Sequence, residues 1–199
     1  KNYKIMIIKH FATVPAQNLK LLLTLVSSNH LYQKTIAYRE VFCYKLTKIL
    51  APIYHKLFKS YKSKWTISMT QLSKYPVGSL GRHWYQFYKK NNFSIYPNYE
   101  EHDIAHVLLG FKTTTIEEAR MIYFMFGAGK HSYPTLVTML FGFVIFPEFI
   151  STFYQDYKQG TQVVNFTKWD FRHLLKEPIQ TLRGMIMKEN DPEESLTII

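Results

Sequence analysis

Apolar residues recur at helical spacing through most of the chain. Over residues 17–31, Leu19, Leu22, Leu23 and Val26, then His30, follow the i, i+3, i+4 stagger of one helix face. Residues 35–50 repeat the pattern with Ile36, Phe42, Cys43, Leu46, Ile49 and Leu50. Pro52 lacks the N–H that a helix interior needs, so the helix should break or kink there, and a further short helix should run to about residue 59. The basic, polar residues 59–64 read as a loop. Tyr75, Pro76, Val77 and Gly78 form a turn, after which Ser79 can cap a helix through Asn91 carrying Leu80, Trp84, Phe87 and Tyr88. Tyr96, Pro97 and Asn98 make a second turn. Further helices are expected over 100–109, 115–126, 134–158 with an interruption at Pro147, and 169–187. Strand-like alternation is confined to a weak candidate at 161–166. With no repeat, low-complexity segment or linker, the pattern predicts one all-α domain over 1–199, a multi-helix bundle.

Composition narrows the class. A chain of 199 residues that is 47% hydrophobic can bury a real core, and its 8 Gly and 8 Pro exclude collagen and low-complexity disorder. Cys43 is the only cysteine, which excludes an internal disulfide and an extracellular disulfide scaffold. The longest uncharged apolar stretch, 132–147, has 16 residues and contains Pro134 and Gly142, short of the ~20 that a spanning helix needs. Ile5, Met6, Ile7 and Ile8 are too few for a signal-peptide core. The chain opens on Lys1 rather than methionine, which leaves room for a removed targeting segment. An intracellular protein held at a membrane surface is expected, on the cytoplasmic side if the source is bacterial.

Charge is unevenly placed. Residues 1–100 hold 16 Lys and Arg against 2 acids, a net of +14, and residues 101–199 hold 9 against 12, a net of −3. A basic half suits an anionic partner such as lipid headgroups or a phosphorylated ligand, and is equally consistent with a plain solvated surface. It contains 14 Lys to 2 Arg, whereas bidentate recognition of phosphates and bases favours Arg. Nucleic acid is therefore disfavoured against an anionic membrane surface. Arg82, His83 and Lys89, on the helix after Ser79, are candidate contacts for a lipid phosphate, the alternative being a solvated face.

The candidate chemistry lies at Glu100-Glu101-His102-Asp103-Ile104-Ala105-His106 and at Glu118. At about 100° per residue, His102, Asp103 and His106 fall within an arc of about 100°, with the two imidazoles one turn apart. A helix presents two nitrogen ligands to one metal ion in this way. Gly110 ends that helix, and Glu118 lies in the first turns of the next. Two imidazoles with carboxylates suit zinc, iron or manganese and leave coordination positions for water or substrate. Thr115 with Glu118 is also a capping box, but Thr114 with Glu117 offers the same cap one residue earlier, so Glu118 is open to either role. Random placement of 8 His among 199 residues, with Asp as scarce as it is here, yields roughly 0.006 copies of H-D-x-x-H. A different set, His83 with His102, Asp103 and either Asp156 or Asp170, would serve a helical phosphohydrolase.

His102-Asp103-x-x-His106, followed after eleven residues by Glu118, resembles the H-D-x-x-H-x11-E motif of the Coq4 family of coenzyme Q (ubiquinone) biosynthesis proteins. Pro76-Val77-Gly78-Ser79-Leu80-Gly81 with Tyr85 and Phe87, Leu109-Gly110 with Thr113, and Trp169 with Leu174, Pro178 and Arg183 are similar to flanking segments of that family. The resemblance covers about residues 75–185; the basic helices of residues 1–70 are less diagnostic. Glu117 and the Ile104-Ala105 pair depart from the family pattern without removing a ligand. The resemblance implies an all-α fold, a divalent metal at His102, Asp103, His106 and Glu118 (zinc by resemblance, with iron, manganese or magnesium open), and association with membranes. It also implies a prenylated quinone precursor or prenyl phosphate as ligand, other quinone-biosynthesis proteins as partners, and either oxidative decarboxylation at ring carbon C1 or a non-catalytic scaffold role. A homodimer is left open. The Met- and Phe-rich second half could house the prenyl tail, with Met121, Met125, Leu136 and Leu140 lining an apolar cavity; ordinary core is the plainer reading of each.

Overall fold

A computed structural model describes residues 31–54, 56–57 and 65–187. The helix expected at 17–31 and the loop at 59–64 thus fall almost wholly outside the described residues. The described residues divide into two compact units, one of those up to 76 with 81–104, the other of 77–80 with those from 105. The described residues are all-α, as the periodicity requires.

In the first unit, α1 (Leu31–Tyr54) is longer than expected and contains Pro52. Proline removes one donor, but here it falls in the last turn, where little helix remains to be disrupted. Cys43 faces inward at 1% exposure. Burial, reinforced by the nearby Glu40 charge, pushes its thiol up to about 11. Native protein at pH 7.5 should therefore resist maleimide labelling that unfolded protein accepts; rapid stoichiometric labelling would contradict the buried placement. The single turn α2 (Met69–Leu72) opens on a capping box formed by Ser68 and Gln71. On α3 (Leu80–Asn91), Leu80, Trp84 and Tyr88, spaced i, i+4, i+8, are all fully buried. Trp65 meets Trp84 edge-on with centroids 5.8 Å apart.

The second unit is built around α5 (Thr115–Gly127), α6 (Tyr133–Ile145) and α7 (Ile150–Thr161). A Cβ on Gly127 would lie 2.2 Å from the Tyr157 carbonyl oxygen, and one on Gly160 would lie 2.0 Å from that of Phe124. Paired glycines thus let α5 and α7 cross in near backbone contact. The ring of Tyr123 stacks on Phe153 at 4.8 Å, and its hydroxyl donates to the Met139 carbonyl at 3.0 Å, tying α6 to α5. Arg120 donates to both carboxylate oxygens of the buried Asp156, at 2.9 and 3.1 Å.

Prolines punctuate this unit. The interruption expected at Pro147 within 134–158 is present as a 3-10 turn (Pro147–Phe149) that joins two helices, with a bend of 106°. The helix expected over 169–187 as one piece is instead split into α8 (Phe171–Leu174) and α9 (Ile179–Ile186), because Pro178 cannot donate and holds the preceding residue out of helical geometry. The strand candidate at 161–166 does not form; α7 runs through Thr161 and a 3-10 turn (Phe166–Lys168) follows. At the start of α3, Leu80 N–H donates to the Glu177 carbonyl and Ile179 N–H to that of Gly78, both at 2.9 Å. Those bonds fasten residues 77–80, which belong to this unit, to the start of α9.

Candidate metal centre

The site is organised by α4 (Glu100–Leu109). Asn98, at φ +71°, turns the chain into this helix, and Glu100, Glu101 and Asp103 place negative charge at the positive end of its dipole. Gly110, at φ +80°, ends it in the left-handed region, its N–H bonded to the His106 carbonyl at 2.9 Å. The terminal carbonyls of Val107 and Leu108 accept from the Arg183 guanidinium, both at 2.9 Å. Both ends of the histidine-bearing helix are therefore pinned.

His102, His106 and Glu118 converge, each offering one ligand atom, with these atoms all within 4.8 Å of one another. Thr114, not Thr115, caps α5, accepting from the Glu117 N–H. Glu117 is drawn to Arg120 at 2.8 Å. Glu118 is thereby directed at His106, with Oε1 2.9 Å from Nε2.

The ring nitrogens fit a cation. His106 Nδ1 lies 3.1 Å from the Phe111 carbonyl oxygen, which can only accept, so Nδ1 carries the hydrogen and the neutral ring places its lone pair on Nε2, toward Glu118. Two acceptor atoms 2.9 Å apart repel unless a proton or a metal ion lies between them. His102 repeats the arrangement, with Nδ1 3.2 Å from Asp103 Oδ1. An oxygen acceptor on Nδ1 with Nε2 left basic is how metal-ligating histidines are commonly oriented. His106 is buried, whereas the side chains of His102 and Glu118 are 26% and 32% exposed, so one side of the group is accessible. Three nitrogen and oxygen donors with access on one side suit zinc, iron or manganese with positions left for exogenous ligands.

Asp103, read from sequence as a fourth ligand, is not brought into this group. Its Oδ1 faces His102 and its Oδ2 accepts from the Tyr88 hydroxyl at 2.6 Å. Burial, and then the Asp103 charge, push the Tyr88 phenol far above its usual range, so it remains the donor. Tyr88 holds Asp103, Asp103 holds the His102 ring, and the Asp103 side chain is only 5% exposed. Tyr88→Phe and Asp103→Asn should each weaken metal affinity about 10- to 100-fold in a chelator-competition titration. A loss of melting temperature with unchanged affinity would show the chain of contacts to be structural only.

The other expected site residues lie elsewhere. The Arg82 guanidinium donates to the Ser73 carbonyl and sits over the Tyr85 ring at 5.3 Å, so it is engaged within its own unit. His83 is partly buried on α3. Asp156 is held by Arg120 and Asp170 caps α8 through the Arg172 N–H, so neither joins the histidines. Met121 and Met125 are core residues at 0% and 3% exposure, whereas Leu136 and Leu140 are 48% and 64% exposed. Two of the four thus lie in the core and two on the outer surface. The reason is that α6 turns Thr135 and Gly142 inward, leaving its large side chains outside. Sequence reading missed Tyr88 and Arg183 as supports of the site; a lone hydroxyl on an otherwise apolar α3 face was the available signal for Tyr88.

No family model matches the chain, and no curated protein matches it. Among solved structures it is similar to a crystal structure, at 2.85 Å, of a protein from Nostoc punctiforme PCC 73102 provisionally assigned to ubiquinone biosynthesis, at 18% identity and a TM-score of 0.49, over 92% of this chain and 94% of that one.

Proposed function

We propose that the chain is a divalent-metal protein of ubiquinone or related prenylquinone biosynthesis, resembling the Coq4 family. In this proposal it takes a prenylated aromatic precursor and carries out oxidative decarboxylation at ring carbon C1. The observation that supports it most is the convergence of His102, His106 and Glu118 at the spacing of the H-D-x-x-H-x11-E motif. These three would hold the ion, which when bound supplies Lewis-acid polarisation of a substrate oxygen or activation of water or dioxygen. His102 and His106 contribute neutral nitrogens, Glu118 contributes charge and lies at the accessible side, and Asp103 with Tyr88 fixes the His102 ring. The test is incubation of purified, metal-quantified full chain with a prenylated hydroxybenzoate under air, following carbon dioxide release and product mass. Turnover lost in His106→Ala supports the proposal. Metal and prenyl lipid bound at constant stoichiometry with no turnover would replace catalysis by a scaffold role.

A further inference from the structure

The helix α6 is amphipathic in the reverse sense. All thirteen of its residues are uncharged, and the side turned toward the unit carries Thr135 and Gly142, both buried. Gly142 is what allows close approach, since a Cβ there would sit 3.2 Å from that of Ala119. The outward side carries Tyr133, Leu136, Val137, Leu140, Phe143 and Val144, between 47% and 82% exposed. Their i, i+3, i+4, i+7 spacing confines them to an arc of about 120°. Beyond the 106° bend, Ile150 and Tyr154 on α7 are exposed as well. So long an exposed apolar stripe marks a binding surface.

We infer that the outward face of α6 is a membrane anchor that lies in the plane of a bilayer, with its stripe among the acyl chains. Three observations select lipid as the occupant. The stripe offers no hydrogen-bonding group apart from the Tyr133 hydroxyl at its end, whereas protein interfaces carry about one hydrogen bond per 100–200 Å² and a polar rim. The two arms together have the length and hydropathy of a membrane span, yet no single described helix is long and apolar enough to cross. Each arm is only ~20 Å long against a hydrocarbon core of ~30 Å, and the sharp bend leaves them to lie along the surface. The flanks also suit an interface: Lys130 and His131 precede α6, and Tyr133 and Tyr154 stand where amphipathic rings meet headgroups. This anchor is distinct from attraction through the lysine-rich first half, and it does not depend on the metal site.

Vesicle flotation of the full chain tests it, using neutral phosphatidylcholine in 0.5 M salt, conditions that suppress lysine-driven binding. The wild type should float, and Leu140→Glu with Val144→Glu should lower the bound fraction about tenfold while helicity and melting temperature hold. Leu140→Trp keeps the question open to measurement if the charged variant misfolds: its tryptophan emission should shift to the blue on adding vesicles and be quenched by brominated acyl chains. Emission unchanged by vesicles would overturn the inference. So would binding restricted to anionic vesicles at low salt, or a charged variant that binds normally but sediments at half the wild-type mass, which would assign the face to a second copy of the chain.

Discussion

Replacing His106 with alanine should remove the metal from the purified protein, with occupancy falling from near one ion per chain to background in elemental analysis. The expectation follows from its position: His106 is buried, its ring is oriented through Phe111, and its Nε2 lies 2.9 Å from Glu118 Oε1. No other ring occupies that point on α4, and a three-donor site that loses a buried nitrogen retains one histidine and one partly exposed carboxylate. His102→Ala should do the same, because only one imidazole and one carboxylate then remain to hold the ion. Glu118→Ala should reduce affinity and leave the start of α5 intact, since Thr114 provides the cap. Full occupancy in both histidine variants would remove the site assignment.

The second large effect belongs to the fold. Gly160→Ala should destabilise the second unit by about 3 kcal/mol or more, or prevent folding, because the added Cβ would lie 2.0 Å from the Phe124 carbonyl oxygen and a backbone atom has no rotamer to escape into. Gly184→Ala is the matched control: a Cβ there meets nothing within 4 Å, and α9 should tolerate or gain from it. Thermal melts of the two variants separate close helix crossing from a general penalty on glycine replacement. Equal melting temperatures would mean that α5 and α7 do not cross so tightly.

How far the sequence discloses this molecule varies by feature. The apolar face of α3 and the extents of α4 and α5 are readable because caps, periodicity and core burial agree there. The group that could hold a metal is readable in part: helical geometry alone puts His102 and His106 one turn apart, while the cap offered by Thr114 left Glu118 open to either role. The role of Asp103 was not readable: adjacency to His102 on one helix suits a ligand and an orienting partner equally, and only the approach of Tyr88 decides. Arg183 was similarly opaque, since its partners are backbone carbonyls some 75 positions away. For α6 hydropathy misleads, because a run without charge suggests core, yet the small residues Thr135 and Gly142 take the inner face and leave Leu136 and Leu140 outside.

X-ray absorption at the edge of the co-purifying metal tests the central claim most directly. The arrangement of His102, His106 and Glu118 predicts a shell of nitrogen and oxygen donors at about 2.0–2.2 Å with the multiple-scattering signature of two imidazoles. A sulfur shell, scattering from fewer than two imidazoles, or no metal at near-stoichiometric level would contradict it.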